Sequence, residues 1–74
     1  MEKRSLSIAG HRTSVSLEPQ FWAILEVMAA EQAVPMARLI RSIDEARGTT
    51  NLASAARLAV LAWYQEKLRP IEEA

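Results

Sequence analysis

Across residues 52–64 only Ser54 and Arg57 are clearly polar; the rest is Leu, Ala, Val, Trp and Tyr. Asn51 ahead of this run is a good helix N-cap and Pro70 a stop, so the segment reads as a helix over about 52–68. A helix that is apolar on nearly every side has to be buried on nearly every side. The chain has 74 residues, and a domain of that size has too little other mass to wrap such a helix alone. Short chains generally add a disulfide, a metal or a partner subunit. With no cysteine and a single histidine, His11, disulfides and a metal site are excluded. A second copy of the chain is the remaining solution, and no cofactor is expected.

The N-terminal part has a different period. Ser5-Leu6-Ser7-Ile8 alternates polar and apolar, Ala9-Gly10-His11 interrupts, and Arg12-Thr13-Ser14-Val15-Ser16-Leu17 alternates again. Two strands over 4–8 and 12–17 around a glycine turn are expected. In the second strand Thr13, Val15 and Leu17 share a core face, and Arg12, Ser14 and Ser16 share a polar one.

After Leu17 the period becomes helical. Glu18-Pro19 places an acid and a proline in a first turn, where the missing amide proton does no harm and negative charge suits the helix dipole. A helix over 19–32 follows, with Phe21, Leu25, Met28 and Gln32 as its stripe, Ile24 beside it and Trp22 and Ala29 widening it. Val34-Pro35 ends it. Met36, Leu39, Ile40 and Ile43 mark a second helix over 36–46 that stops at Arg47-Gly48, where glycine can take the left-handed cap. The whole chain is thus one mainly α domain, 1–74, with a short β ribbon ahead of three helices and a tail, residues 71–74, expected to fray.

Nine basic and nine acidic residues cancel, so bulk electrostatics gives no reason to coat nucleic acid. The distribution is uneven, with Lys3, Arg4 and Arg12 set against Glu2 alone in the first segment, and Glu18, Glu26 and Glu31 unopposed in the next. A basic surface is therefore local to the N-terminus, and a two-fold dimer doubles it. No apolar run approaches the roughly 18 residues of a membrane span, and the start is too polar for a signal peptide, so the chain reads as cytoplasmic. One histidine and serines without a nucleophile turn do not make a catalytic cluster, and no enzymatic activity is expected.

The strand Arg12-x-Ser14-x-Ser16-Leu17, the helix from Glu18 to Gln32, the turn Ala33-Val34-Pro35 and the helix from Met36 together resemble the ribbon-helix-helix superfamily, which includes repressors of the Arc and MetJ kind. The run from Gly10 to Pro19 and the segment from Ile43 to Leu52 are similar to a small bacterial subfamily of ribbon-helix-helix domain proteins. The resemblance implies an intertwined dimer whose strands pair antiparallel and enter the DNA major groove with alternate side chains reading bases. Those positions here are Arg12, Ser14 and Ser16; arginine can grip guanine through two hydrogen bonds, and serine can donate or accept. The chain departs from the family at Ala33-Val34-Pro35, where glycine followed by serine or threonine commonly lets the second helix offer amides to a phosphate. The first strand and the third helix also extend the minimal family plan.

Candidate binding residues are accordingly Arg12, Ser14 and Ser16, flanked by Arg4 and His11. Arg12 has an alternative role as the ion-pair partner of Glu18, and His11 as a hydrogen-bonding group in the turn. Phe21, Trp22, Trp63 and Tyr64 are read as dimer core rather than as a base-stacking platform. Two functions remain open: a DNA-binding transcriptional regulator, or a dimer without DNA binding that senses a small anionic or polar ligand or adapts a protein partner. The first strand bears on the choice. If it pairs with the second, a dimer carries four strands spanning roughly 14 Å, against a major groove about 12 Å wide, and such a sheet does not enter flat unless its outer strands detach.

Overall fold

The computed structural model describes residues 1–69. Two strands, β1 (Glu2–Ile8) and β2 (His11–Leu17), form an antiparallel hairpin, followed by α1 (Pro19–Gln32), α2 (Met36–Ala46) and α3 (Leu52–Lys67). This is the mainly α domain with a short ribbon that the alternation and periodicity imply. The expectation for residues 71–74 lies outside the described residues.

The hairpin is tighter and longer than the sequence suggests. Its loop is Ala9-Gly10 alone, with φ of 51° and 84°, the two left-handed positions of a type I′ turn. His11 therefore belongs to the ladder, opposite Ile8, and pairing runs on to Glu2 opposite Leu17. The far end is held because the Trp22 indole donates a hydrogen bond to the Glu2 carbonyl at 2.8 Å. Strict alternation sorts the side chains: Leu6, Ile8, Thr13, Val15 and Leu17 face the helices, while Lys3, Ser5, Ser7, Arg12, Ser14 and Ser16 face outward.

Helix α1 starts on the Glu18 carbonyl, which accepts from the amides of Phe21 and Trp22. Its buried stripe is Trp22, Leu25, Met28 and Ala29; Phe21 and Ile24 are half-buried and Gln32 is exposed. The stripe is thus rotated from the expected one, because the indole, the largest side chain of the helix, takes the fully buried place beneath the hairpin. The helix closes in a Schellman motif: Ala33 is left-handed, at φ 57°, and the Val34 amide reaches back to the Ala29 carbonyl at 3.0 Å. In α2, Leu39 and Ile40 are buried and Ile43 packs beside them. The turn after it holds Gly48 at φ 63°, and the Arg47 side chain donates to Asp44 and to the Thr50 carbonyl. Asn51 caps α3 by accepting from the Ser54 amide at 2.9 Å.

Strand β1 rests on α2 and β2 on α3, with α1 against both of the other helices. One core joins the layers, from Ile8, Val15 and Leu17 through Trp22 and Leu25 to Leu39, Ile40, Ala56 and Val60. Helix α3 is only partly served by it. Ala55, Ala56 and Val60 are buried, whereas Leu58 and Leu61 stay 58% and 51% exposed. Trp63 is half-buried and donates to Glu31, which also takes the Lys67 ammonium; Tyr64 lies edge-on to Trp63 and is exposed. These two aromatics are therefore not a closed core within one chain.

Two carboxylates tie α1 to α3 and titrate accordingly. Glu31 is held below the ordinary carboxylate value by hydrogen bonds first from Lys67 and then from the Trp63 indole. Glu18 is lowered by its own backbone amide and then by Arg57, against some desolvation. A depressed folded value means that stability is present above the ordinary carboxylate range and is lost as pH falls through the depressed values. Urea midpoints followed from neutral to acid pH should drop through that range, and Glu31→Gln should flatten the drop. The turn gives a second test. Ala9 holds a left-handed φ of 51°, which costs an L-residue about 1–2 kcal/mol, so Ala9→Gly should gain about 0.5–1 kcal/mol in equilibrium unfolding after the extra chain entropy is subtracted.

Candidate nucleic-acid interface

The outward face of the hairpin is a polar lattice. Lys3 lies opposite Ser16, Ser5 opposite Ser14, and Ser7 opposite Arg12. All six are exposed, and the Ser5 and Ser14 hydroxyls approach to 3.4 Å. The three central candidates, Arg12, Ser14 and Ser16, are thus brought together on one surface. Lys3, Ser5 and Ser7 join them from β1. Finding these three needs the register of the hairpin; the alternation of Ser5 to Ile8 was the available signal.

The two flanking candidates fall elsewhere. Arg4 is on the inward face, where its guanidinium lies 4.6 Å from the centroid of the Trp22 ring and pairs with Glu2 at 2.7 Å and Glu26 at 2.9 Å. The Glu2 hydrogen bond, then that of Glu26, raises its pKa above the ordinary arginine value. Its geometry is that of a clamp holding β1 to α1. His11 shares the parity of Thr13 and so lies on the other side of the sheet from Arg12, at the exposed end of the ladder. The alternative partner considered for Arg12 is also taken: Glu18 is gripped by Arg57 through two hydrogen bonds of 3.0 and 3.2 Å.

Charge pairing concentrates what the net charge conceals. Every acidic side chain among the described residues is in an ion pair: Glu2 and Glu26 with Arg4, Glu18 with Arg57, Glu31 with Lys67, Asp44 with Arg47, Glu45 with Arg41, and Glu66 with Arg69. The Lys and Arg side chains without such a partner among the described residues are Lys3, Arg12 and Arg38. Lys3 and Arg12 are on the outward sheet face. Arg38 lines an open hollow of about 590 Å³ between β1 and α2, together with Ser7, Pro35 and Arg41. Pro35 occupies the N-cap of α2, with its carbonyl accepting from the Arg38 and Leu39 amides. Proline at the N-cap leaves the first turn without one of its four free amides and without a side-chain cap, so the amides of Met36 and Ala37 are the ones still available to an anion.

The backbone adds a second property. In a two-residue hairpin the closing pair, Ile8 and His11, is hydrogen-bonded and the pairs alternate from there. The amides and carbonyls of Arg12, Ser14 and Ser16 consequently point away from β1, to the open edge of β2. An open edge with a regular row of donors and acceptors pairs readily with another strand. Among the described residues no group of three potential metal-ligating side chains converges, and no helix is long and apolar enough to cross a membrane.

Arg12 and Arg4 should behave oppositely on truncation. Arg12→Ala should change unfolding free energy by no more than about 0.5 kcal/mol, as expected of an exposed surface residue, while Arg4→Ala should lose about 1 kcal/mol from the ring stack alone. Urea titrations of both variants check this; a large loss at Arg12 would make it structural.

No match was found among curated proteins or among solved structures. The family model described as Ribbon-helix-helix domain matches residues 1–64, so that β1 and most of α3 lie within the matched domain. The chain belongs to the ribbon-helix-helix domain family.

Proposed function

We propose that the protein is a homodimeric DNA-binding regulator that meets duplex DNA with the outward face of its sheet. Proteins of this family typically form homodimers and bind DNA as non-enzymatic transcription regulators. The observation that carries the reading for this chain is that the cations without an ion-pair partner among the described residues, Lys3, Arg12 and Arg38, are confined to the hairpin face and the adjoining rim of α2. Phosphate contacts require such uncommitted charge, since a cation already held by a carboxylate neutralises nothing further.

The pairing of β1 shapes how the sheet can dock. Ile8 is buried, Glu2 is held by Trp22, and Arg4 is clamped by Glu26, so detaching β1 would cost core contacts. Two copies joined along β2 carry four strands, with the two β2 strands central and the β1 strands outermost. The central pair, bearing Arg12, Ser14 and Ser16, is narrow enough for the mouth of the major groove. Lys3 on each outer strand then falls over the flanking phosphates, where it positions the dimer without reading sequence. Arg12 is the residue suited to bidentate contact with a guanine edge.

A second reading, a dimer that senses a small anionic or polar ligand or adapts a protein partner, is favoured by the same firmly held β1, which widens the sheet beyond the groove. Salt dependence separates the two. Lys3, Arg12 and Arg38 of both chains, if all meet phosphates, predict that the affinity of the dimer for random duplex DNA falls with salt at a log–log slope of about −5. Neutralising Lys3, Arg12 and Arg38 together to alanine should bring the slope close to zero with helix content unchanged. Weak, salt-insensitive binding by the unaltered protein would overturn the DNA reading and leave the ligand or adaptor reading.

A further inference from the structure

Between α1 and α3 the molecule has an apolar groove of about 650 Å³, walled by Phe21, Ile24, Leu58, Leu61 and Tyr64. We infer that this groove is closed by the α3 helix of a second copy of the chain, in the same two-fold dimer that joins the β2 edges. The inference rests on the homodimer of the proposed function and assigns it a second, larger surface.

Placement is the first argument. Helix α3 packs under β2, and α2 under β1, so α3 is the helix nearest the open edge. Pairing β2 with its mate sets the two strands about 4.8 Å apart. That puts the partner's α3 on the same side of the joined sheet as the first, and two helices that meet there would pack at the usual 8–10 Å. A strand-paired dimer in which the two α3 helices meet covers Leu58 and Leu61 of both copies, which are exposed in the single chain.

Self-complementarity is the second. A two-fold contact requires one surface to supply both ridge and groove. Leu58, Leu61 and Tyr64 follow at helical spacing along α3, 58%, 51% and 41% exposed, and form a ridge on the same helix that walls the groove. The third argument is charge. The charged side chain on the lining is Arg57, and Glu18 already neutralises it, so covering the groove strands no lone charge. The apolar character of residues 52–64 then has its explanation: the buried side, Ala55, Ala56 and Val60, serves the chain's own core, and the opposite side serves the partner.

Sedimentation of four forms tests this. The unaltered protein should have the mass of two chains. Leu58→Glu combined with Leu61→Glu should have the mass of one chain with helical circular dichroism retained, because both positions are open within a single chain. Leu61→Ala should raise the dimer dissociation constant about tenfold or more, as truncation of a buried leucine does; this variant decides the matter if the double substitution does not fold. Ser14→Pro removes a donor at the open edge without touching the β1 ladder, and should also yield single chains. A double-glutamate variant that stays dimeric, or Leu61→Ala with an unchanged dissociation constant, overturns the groove contact. Should Ser14→Pro alone yield single chains, the strand-paired dimer stands without it. An unaltered protein with the mass of one chain overturns both.

Discussion

The burial of Trp22 beneath the hairpin is the contact on which the rest of the architecture depends. The indole is fully enclosed, its Nε1 donates to the Glu2 carbonyl, and the Arg4 guanidinium lies over its ring. These interactions hold β1 at its far end, while the Ala9-Gly10 turn fixes it at the near end. With both ends set, the register is set, and alternation alone decides which side chains face out. A slip of one residue would turn Leu6, Ile8, Val15 and Leu17 to water and the serines to the core. The outward polar face is thus a consequence of how one aromatic side chain is buried.

Charge is organised by the same packing. The pairs Glu18–Arg57 and Glu31–Lys67 join α1 to α3, Arg4 joins β1 to α1 through Glu26 and pairs with Glu2 within β1, and the remaining pairs lie within or just beyond single helices. As exposed ion pairs each contributes little to stability. Their larger effect is on the surface field: the acids among the described residues are occupied in ion pairs, while Lys3 and Arg12 on the outward sheet face have no such partner among those residues.

Much of this was legible in the sequence, and the failures have physical causes. Period-two alternation identified β2 and its polar residues, because one residue in two had to face the core. The helices were marked by Pro19, Pro35, Gly48 and Asn51, each acting through its own backbone chemistry. The cross-chain register was not legible, so Lys3, Ser5 and Ser7 could not be joined to Arg12, Ser14 and Ser16. Arg4 shows a different limit. Its parity with Leu6 and Ile8 places it inward, but a charged residue there makes sense only once Trp22, Glu2 and Glu26 are seen around it. Glu18 and Arg57 are far apart in the chain, and nothing local connects them. The indole of Trp22 displaced Phe21 from the centre of α1 for want of any sequence signal about which aromatic the hairpin covers.

The most direct test of the account maps duplex DNA onto the protein residue by residue. Amide chemical shifts followed during titration with a short duplex should move at Lys3, Ser5, Arg12, Ser14 and Ser16 and at the start of α2 around Arg38, while the amides of Leu58, Leu61 and Tyr64 on α3 stay in place. Shifts centred on α3, or no shifts at any site at low salt, would contradict the claim that the outward sheet face is the DNA-binding surface.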